Sequence, residues 1–164
     1  MAAAGINCKE ELFKMQIAQS VSLLLEKKQE LFLEFERYTN LLTTCDIDDM
    51  ANYITKRATI ANEIDNVTDQ ITELIKTSNV TPSAEAILSI SCSYSEVPIQ
   101  WQPAFLEAQK ISGIVARCVE VNQQAQQRMY GMRDHLKDRI VQTKNTPRII
   151  KYLSSSGAIQ QERS

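Results

Sequence analysis

The sequence predicts an all-α fold, an elongated bundle made of a long antiparallel helical hairpin and a third long helix. Glycine and proline contribute only four residues each to a chain of 164 residues. That is too few for the frequent turns of a β-sandwich or barrel of this length. Apolar residues recur instead at alternating spacings of three and four over long stretches, which is the period of an α-helix.

The first predicted helix covers residues 10–43. One set of apolar side chains recurs there every seven residues, and a second set, offset by four, begins at Val21. The first set is Ile17, Leu24, Leu31 and Tyr38. The resulting apolar face is broader than a two-stranded coiled coil needs, which is typical of a helix in a bundle.

The second predicted helix covers residues 47–76, after a short break in which Thr44 or Asp46 can act as its N-terminal cap. Asp48 and Asp49 follow in the first turn, where the helix dipole favours negative charge. The apolar seam is Ile60, Ile64, Val67, Ile71 and Leu74. Because the connection is short, the two helices are predicted to form an antiparallel hairpin.

Residues 77–103 interrupt the helical period and are predicted to be an irregular linker. Serine and threonine are frequent there, and three of the four prolines, Pro82, Pro98 and Pro103, fall in it. Residues 83–89 are compatible with a short helix capped by Ser83, and residues 87–94 with an extended segment. The pattern does not decide between these alternatives.

The third predicted helix covers residues 104–145, and Pro147 is expected to end it because a proline breaks the helical hydrogen-bond ladder. Gly113 and Gly131 each weaken this helix by about 1 kcal/mol relative to alanine. Residues 1–146 are therefore interpreted as one helical-bundle domain. Residues 147–164 are interpreted as an amphipathic, flexible C-terminal tail.

The third helix also carries the candidate site, a groove for a partner protein. Its seam is made of small residues, methionines and an amide, which suits reversible contact with varied apolar partners. The predicted lining is Val115, Cys118, Asn122, Ala125, Met129 and Met132. Gap-filling in the core is the other interpretation of the methionines. Asn122 is compatible with either a buried register-setting amide or an exposed residue.

The tail supplies a second group of candidate partner-binding residues, Ile149, Ile150, Tyr152 and Leu153, interspersed with Arg148 and Lys151. This segment has three possible uses. It can dock on its own bundle, become ordered on a partner protein, or touch an anionic lipid surface.

Catalytic and cofactor chemistry is not expected. The chain has one histidine, His135, and the four cysteines are too widely spaced for a zinc site or a disulfide framework. A net charge of −2 and an aromatic content of 6% do not favour nucleic-acid binding. No apolar run reaches the length of a membrane span and no secretory signal is visible, so a cytoplasmic protein without stable membrane insertion is expected.

Four segments resemble the FlgN-type flagellar export chaperones. They are Leu23-Leu-Leu-Glu-Lys-Lys-Gln-Glu-Leu31 with Tyr38, Lys56-Arg57 followed by Ile60, Glu63, Ile64 and Asp65, Val119-Glu-Val-Asn122, and Tyr152-Leu-Ser-Ser-Ser-Gly157. The order and lengths of the helices carry most of the resemblance, which covers most of the chain. The serine-rich segment 89–96 and Trp101 do not match the family pattern.

The resemblance implies a cytoplasmic chaperone for hook–filament junction proteins. Such a protein binds the C-terminal helical segment of flagellar hook-associated proteins, prevents their premature assembly and delivers them to components of the type III export apparatus. The alternative is a helical-bundle scaffold, or a coiled-coil subunit that assembles with copies of itself in another secretion or structural complex. A homo-oligomer is compatible with both interpretations.

Overall fold

The computed structural model describes the backbone of residues 3–79 and 81–155, and the side chains of residues 8–79 and 83–142. Its elements are α1 (Ala3–Leu42), α2 (Ile47–Thr77), α3 (Thr81–Leu88), 3-10 turns at Tyr94–Glu96 and Ile99–Trp101, and α4 (Gln102–Ser155). The described residues contain no β-strand. The predicted all-α fold class is therefore confirmed.

α1 and α2 form the antiparallel hairpin. Near the connection, the rings of Tyr38 and Tyr53 lie 5.9 Å apart. Farther from it, Lys28 of α1 lies close enough to Asp65 of α2 for the carboxylate to affect its pKa. Residues late in α1 thus face residues early in α2, as an up-and-down helix pair requires.

The connection reverses the chain with few residues because α1 ends in a hydrogen-bonded turn. The backbone N–H groups of Thr44 and Cys45 donate to the carbonyl of Leu41 at 3.1 and 2.8 Å. Asp46 occupies the N-cap position of α2 in an extended conformation, but its side chain makes no capping hydrogen bond. Asp48 and Asp49 lie in the first turn of α2, where their negative charges interact favourably with the helix dipole and stabilise the helix.

The predicted seams of the hairpin form its core. The buried apolar side chains are Ile17, Val21, Leu25, Leu31, Tyr38 and Leu42 on α1, and Ile60, Ile64, Val67, Ile71 and Ile75 on α2. One position in each seam differs from the expectation. On α1, Leu25 is buried, whereas Leu24 is only partly buried. The other difference lies on α2. Ile75 is buried, whereas Leu74 is only partly buried and packs against the core.

The segment predicted as an irregular linker, residues 77–103, is a packed part of the fold, and the prediction of an irregular linker is wrong. Of the two alternatives left open within it, the short helix at residues 83–89 corresponds to α3, whereas residues 87–94 do not form an extended strand. It contains α3 and both 3-10 turns, and it buries Ala84, Ile87, Val97 and Trp101. The second 3-10 turn packs against α1. α3 begins at Thr81, so Ser83 lies inside the helix and is not its cap. Eight residues make too few turns for a helical period to be recognised.

α4 does not end before Pro147, as predicted, but runs through it to Ser155. A proline inside a helix removes one N–H donor, while its fixed φ of about −65° is itself helical. The hydrogen bonds on either side of Pro147 therefore continue the helix. Residues 147–155 of the predicted flexible tail have a helical backbone, and residues 156–164 lie outside the described part of the chain.

The chain divides into two compact units, Met1–Gln123 and Gln124–Ser164. The division falls within α4, earlier than the predicted boundary between residues 146 and 147. The first unit holds the hairpin, the middle region and the beginning of α4. Over the described residues, no helix combines the length and the apolar character that crossing a membrane requires.

Candidate partner-binding surface

The predicted groove along α4 is partly closed in this structure. Cys118 and Ala125 are buried, with 6% and 0% of their surface exposed. Val115 is partly buried and packs against the hydrophobic core. Asn122, Met129 and Met132 are half-buried. Cys118 and Ala125 are therefore inaccessible to a partner here, which corrects the expectation that both line an open groove.

Asn122 makes a specific contact with the hairpin. Its side-chain oxygen accepts a hydrogen bond of 2.8 Å from the guanidinium of Arg57 on α2. That guanidinium also lies 4.6 Å above the ring of Phe35 on α1. Of the two roles open to Asn122 from the sequence, this contact favours the register-setting amide, because the hydrogen bond joins one position on α4 to one position on α2.

Arg57 is a half-buried cation with incomplete hydrogen bonding. Its Nε atom is buried and has no hydrogen-bond partner among the described residues. Burial lowers the pKa of the guanidinium, because water no longer solvates the charged form as well. The hydrogen bond to Asn122 therefore replaces part of the hydration that the Arg57 guanidinium has lost.

A second polar contact joins α4 to α1 less than two turns away. The guanidinium of Arg117 donates two hydrogen bonds to the carboxylate of Glu36, at 2.7 and 3.1 Å. Burial raises the pKa of the neighbouring Cys118 thiol, which keeps it protonated at neutral pH. A protonated, buried thiol is a poor nucleophile, so this cluster positions helices and does not supply reactive chemistry.

An apolar stripe, half-buried at its first two residues and exposed at its last two, lies farther along α4, in the second unit. It consists of Met129, Met132, Leu136 and Ile140, at spacings of three, four and four residues, and is called the α4 stripe below. Leu136 and Ile140 are 41% and 53% exposed. Sequence reasoning left both out of the site, although the spacing that links Met129 to Met132 extends to them.

The border of the α4 stripe is polar and aromatic. Tyr130 and Val141, on an adjacent face of the helix, are 56% and 55% exposed. Arg133 lies 5.1 Å from the centre of the Tyr130 ring and pairs with Asp134 at 3.0 Å. An apolar stripe on one helix, bordered by charged groups, is the form of surface that recognises another amphipathic helix.

The four predicted tail residues, Ile149, Ile150, Tyr152 and Leu153, belong to α4 by their backbone. Their side chains lie outside the described residues. The stripe is therefore defined only as far as Ile140.

The described side chains include no group of three or more histidine, cysteine or acidic residues that could hold a metal ion. No disulfide joins the cysteines at positions 8, 45, 92 and 118. His135 is exposed.

The chain matches no protein-family model, no curated protein and no solved structure.

Proposed function

We propose that this protein is a cytoplasmic export chaperone of the FlgN type. It binds the C-terminal helical segment of flagellar hook-associated proteins, prevents their premature assembly and delivers them to the type III export apparatus. The exposed α4 stripe is the observation that carries the binding role. The identity of the client rests on the resemblance of the four sequence segments.

The physical argument concerns the client. A helix that later assembles with its own kind carries an apolar face, and this face associates prematurely unless another surface covers it. The α4 stripe offers such a cover over a rise of about 17 Å from Met129 to Ile140. Its methionines are flexible and adapt to differently shaped apolar partners. A short stripe of this kind favours reversible binding, which delivery requires.

The α4 stripe also suits a second copy of the same chain, which is the geometry that the scaffold alternative needs. The two functions differ in what occupies the stripe in the purified protein. A self-assembling subunit covers the stripe without a client, whereas a chaperone leaves it free until the client arrives.

Light scattering after size-exclusion chromatography tests the proposal on the full chain. The chain is measured alone and with the C-terminal segment of a hook-associated protein encoded in the same genome. We expect the client segment to form a complex of defined mass with the chain. A stable oligomer of the chain alone that does not bind the segment contradicts the chaperone function and supports the scaffold.

A matched pair of variants locates the binding surface. Leu136→Glu places a carboxylate within the α4 stripe and is expected to abolish the complex, because the charge must be desolvated on binding. Gln127→Glu introduces the same residue at an exposed position on the opposite face of α4 and is expected to leave the complex intact. Equal binding by both variants excludes the α4 stripe as the site.

A further inference from the structure

The first unit contains a groove that the proposed function does not use. Its volume is about 670 Å³, within the range of about 300–1,000 Å³ typical of small-molecule sites. Its apolar walls are formed by Leu25, Ile71, Ile75, Leu88, Ala108 and Ile111. The groove therefore lies where α1, α2, α3 and the beginning of α4 meet.

Lys28 is the charged group that defines one end of the groove. Its side chain is half-buried, and no described acidic group lies within ion-pair distance of its ammonium. Burial lowers the pKa of Lys28, and the nearby charge of Asp65 only partly opposes this effect. The ammonium has thus lost hydration without gaining a close counter-ion, so an anion placed beside it would be stabilised.

The other end of the groove is electrically balanced. Lys76 and Glu85, of opposite charge, both line it there. Along α2, the rise from Thr68, near the Lys28 end of the groove, to Lys76 is about 12 Å. The groove therefore presents one half-buried cation, Lys28, at one end and an apolar path of about two helical turns beyond it.

The rim of the groove is held in a strained conformation. Ile90 has a φ of 57°, a left-handed conformation that β-branched residues rarely adopt. It ends α3 in a Schellman motif, in which the N–H of Ser91 donates to the carbonyl of Ala86 at 3.0 Å. Ile90 packs against the core while Ser89 and Ser91 line the groove. Such strain tends to persist at functional sites.

We propose that this groove binds a small amphiphile with one carboxylate head and an aliphatic chain. The carboxylate lies beside the Lys28 ammonium, and the chain runs over Ile71, Ile75 and Ile111. A single negative charge matches the one half-buried cation of the lining, and the nearby Asp65 disfavours a more highly charged head. The described lining residues include no aromatic ring, so an aliphatic chain fits the walls better than a stacked ring system does.

Isothermal titration of the full chain with monomeric dodecanoate tests this proposal. We expect one binding site. Dodecylammonium, which has the same chain with the opposite charge, is expected to bind at least about tenfold more weakly, since a charge-assisted hydrogen bond contributes about 1.5–3 kcal/mol. No binding of dodecanoate, or equal binding of the two amphiphiles, overturns the proposal.

Variants of neighbouring lysines assign the head group. Lys28→Met is expected to weaken dodecanoate binding about tenfold while leaving dodecanol binding unchanged, because only the charge contact is lost. Lys27→Met removes an exposed charge one residue away and serves as the matched control. If Lys28→Met binds dodecanoate as tightly as Lys27→Met does, the assignment of Lys28 is wrong.

A third variant tests the path of the chain. Thr72 is exposed and lines the groove, so Thr72→Phe is expected to fill the groove and abolish dodecanoate binding without disturbing the core. Leu136→Glu, which tests the α4 stripe, is expected to leave dodecanoate binding unchanged. The outcome for the groove is therefore independent of the outcome for the chaperone function. Unchanged binding in Thr72→Phe places dodecanoate elsewhere and contradicts the proposal.

Discussion

Arg57 and Asn122 show how a polar pair is accommodated inside the first unit. Arg57 packs over Phe35, bonds to Asn122 and keeps one buried nitrogen without a described partner. A buried polar group that loses its last partner costs more than an ordinary hydrogen bond contributes. The main contribution of Asn122 is therefore the hydrogen bond that it accepts from the Arg57 guanidinium, which replaces part of the water that this cation has lost.

We expect Asn122→Ala to lower the free energy of unfolding by about 1–3 kcal/mol, because it leaves the Arg57 guanidinium without its amide partner. Urea unfolding of the full chain measures this change. Gln123→Ala, an exposed neighbour, is the control and is expected to stay within about 0.5 kcal/mol of the parent. Equal values for the two variants would show that the bond to Arg57 contributes nothing.

The Cys118 thiol is expected to make the free energy of unfolding of the first unit fall as the pH rises into the alkaline range. Burial raises the pKa of its thiol above the ordinary value of 9.0. Well below pH 9 the thiol is protonated in both states, and its contribution to stability is fully present. As the pH rises further, the unfolded chain releases the proton before the folded chain does, so the free energy of unfolding falls until the folded thiol also ionises.

We therefore expect the parent protein to lose more stability between pH 7 and pH 10.5 than Cys118→Ala does, as measured by urea unfolding at both values. Cys8→Ala, which removes an exposed thiol, is the control and is expected to follow the parent. Parallel pH dependences of the parent and Cys118→Ala would contradict a thiol pKa raised by burial.

At the scale of the elements, α4 differs from α1 and α2 in how its helix is maintained. The two helices of the hairpin bury continuous apolar seams. α4 begins with buried residues, then carries the exposed α4 stripe, and contains both Gly113 and Gly131. Where few side chains are buried, intrinsic helix propensity decides how fully the helix forms.

Replacing the two glycines tests this dependence. A Cβ atom added at Gly113 or Gly131 meets no other atom within 4 Å, so alanine fits at both positions. We expect each substitution to stabilise the helical state by about 0.8–1 kcal/mol. Urea unfolding measures the gain for Gly113→Ala, and amide hydrogen exchange of residues 124–142 measures it for Gly131→Ala. Faster exchange in Gly131→Ala would contradict the prediction.

At the scale of the whole molecule, the division into two units implies unequal stability. Most buried apolar residues belong to the first unit, whereas the described residues from 133 to 142 are nearly all exposed. Segments with few buried contacts open at a lower free energy than a packed core does. Trp101, the single tryptophan, is buried in the first unit and reports on that unit alone.

We expect urea to lower the far-ultraviolet circular dichroism signal before the fluorescence of Trp101 changes. The early loss corresponds to the helix of the second unit, and the later, common transition to the core. A chain truncated after Gln123 provides the control, since its two signals are expected to coincide. Coincident transitions in the full chain would show that both units unfold together.

Much of the fold was predictable from local pattern. The seams beginning at Ile17 and Ile60 recur at a helical period for many turns, and few glycines or prolines interrupt them. Residues 77–103 were not predictable in this way. α3 is too short to show a period, and Val97 and Trp101 are buried by contacts that no local pattern encodes.

The features of the candidate site were likewise predictable from the sequence only in part. The spacing of small and methionine residues along the third helix is visible in the chain alone. The burial of Cys118, the bond between Asn122 and Arg57 and the exposure of Leu136 and Ile140 depend on how the helices pack. Periodicity specifies which residues share a face of a helix, whereas what covers that face is set by the position of the other helices.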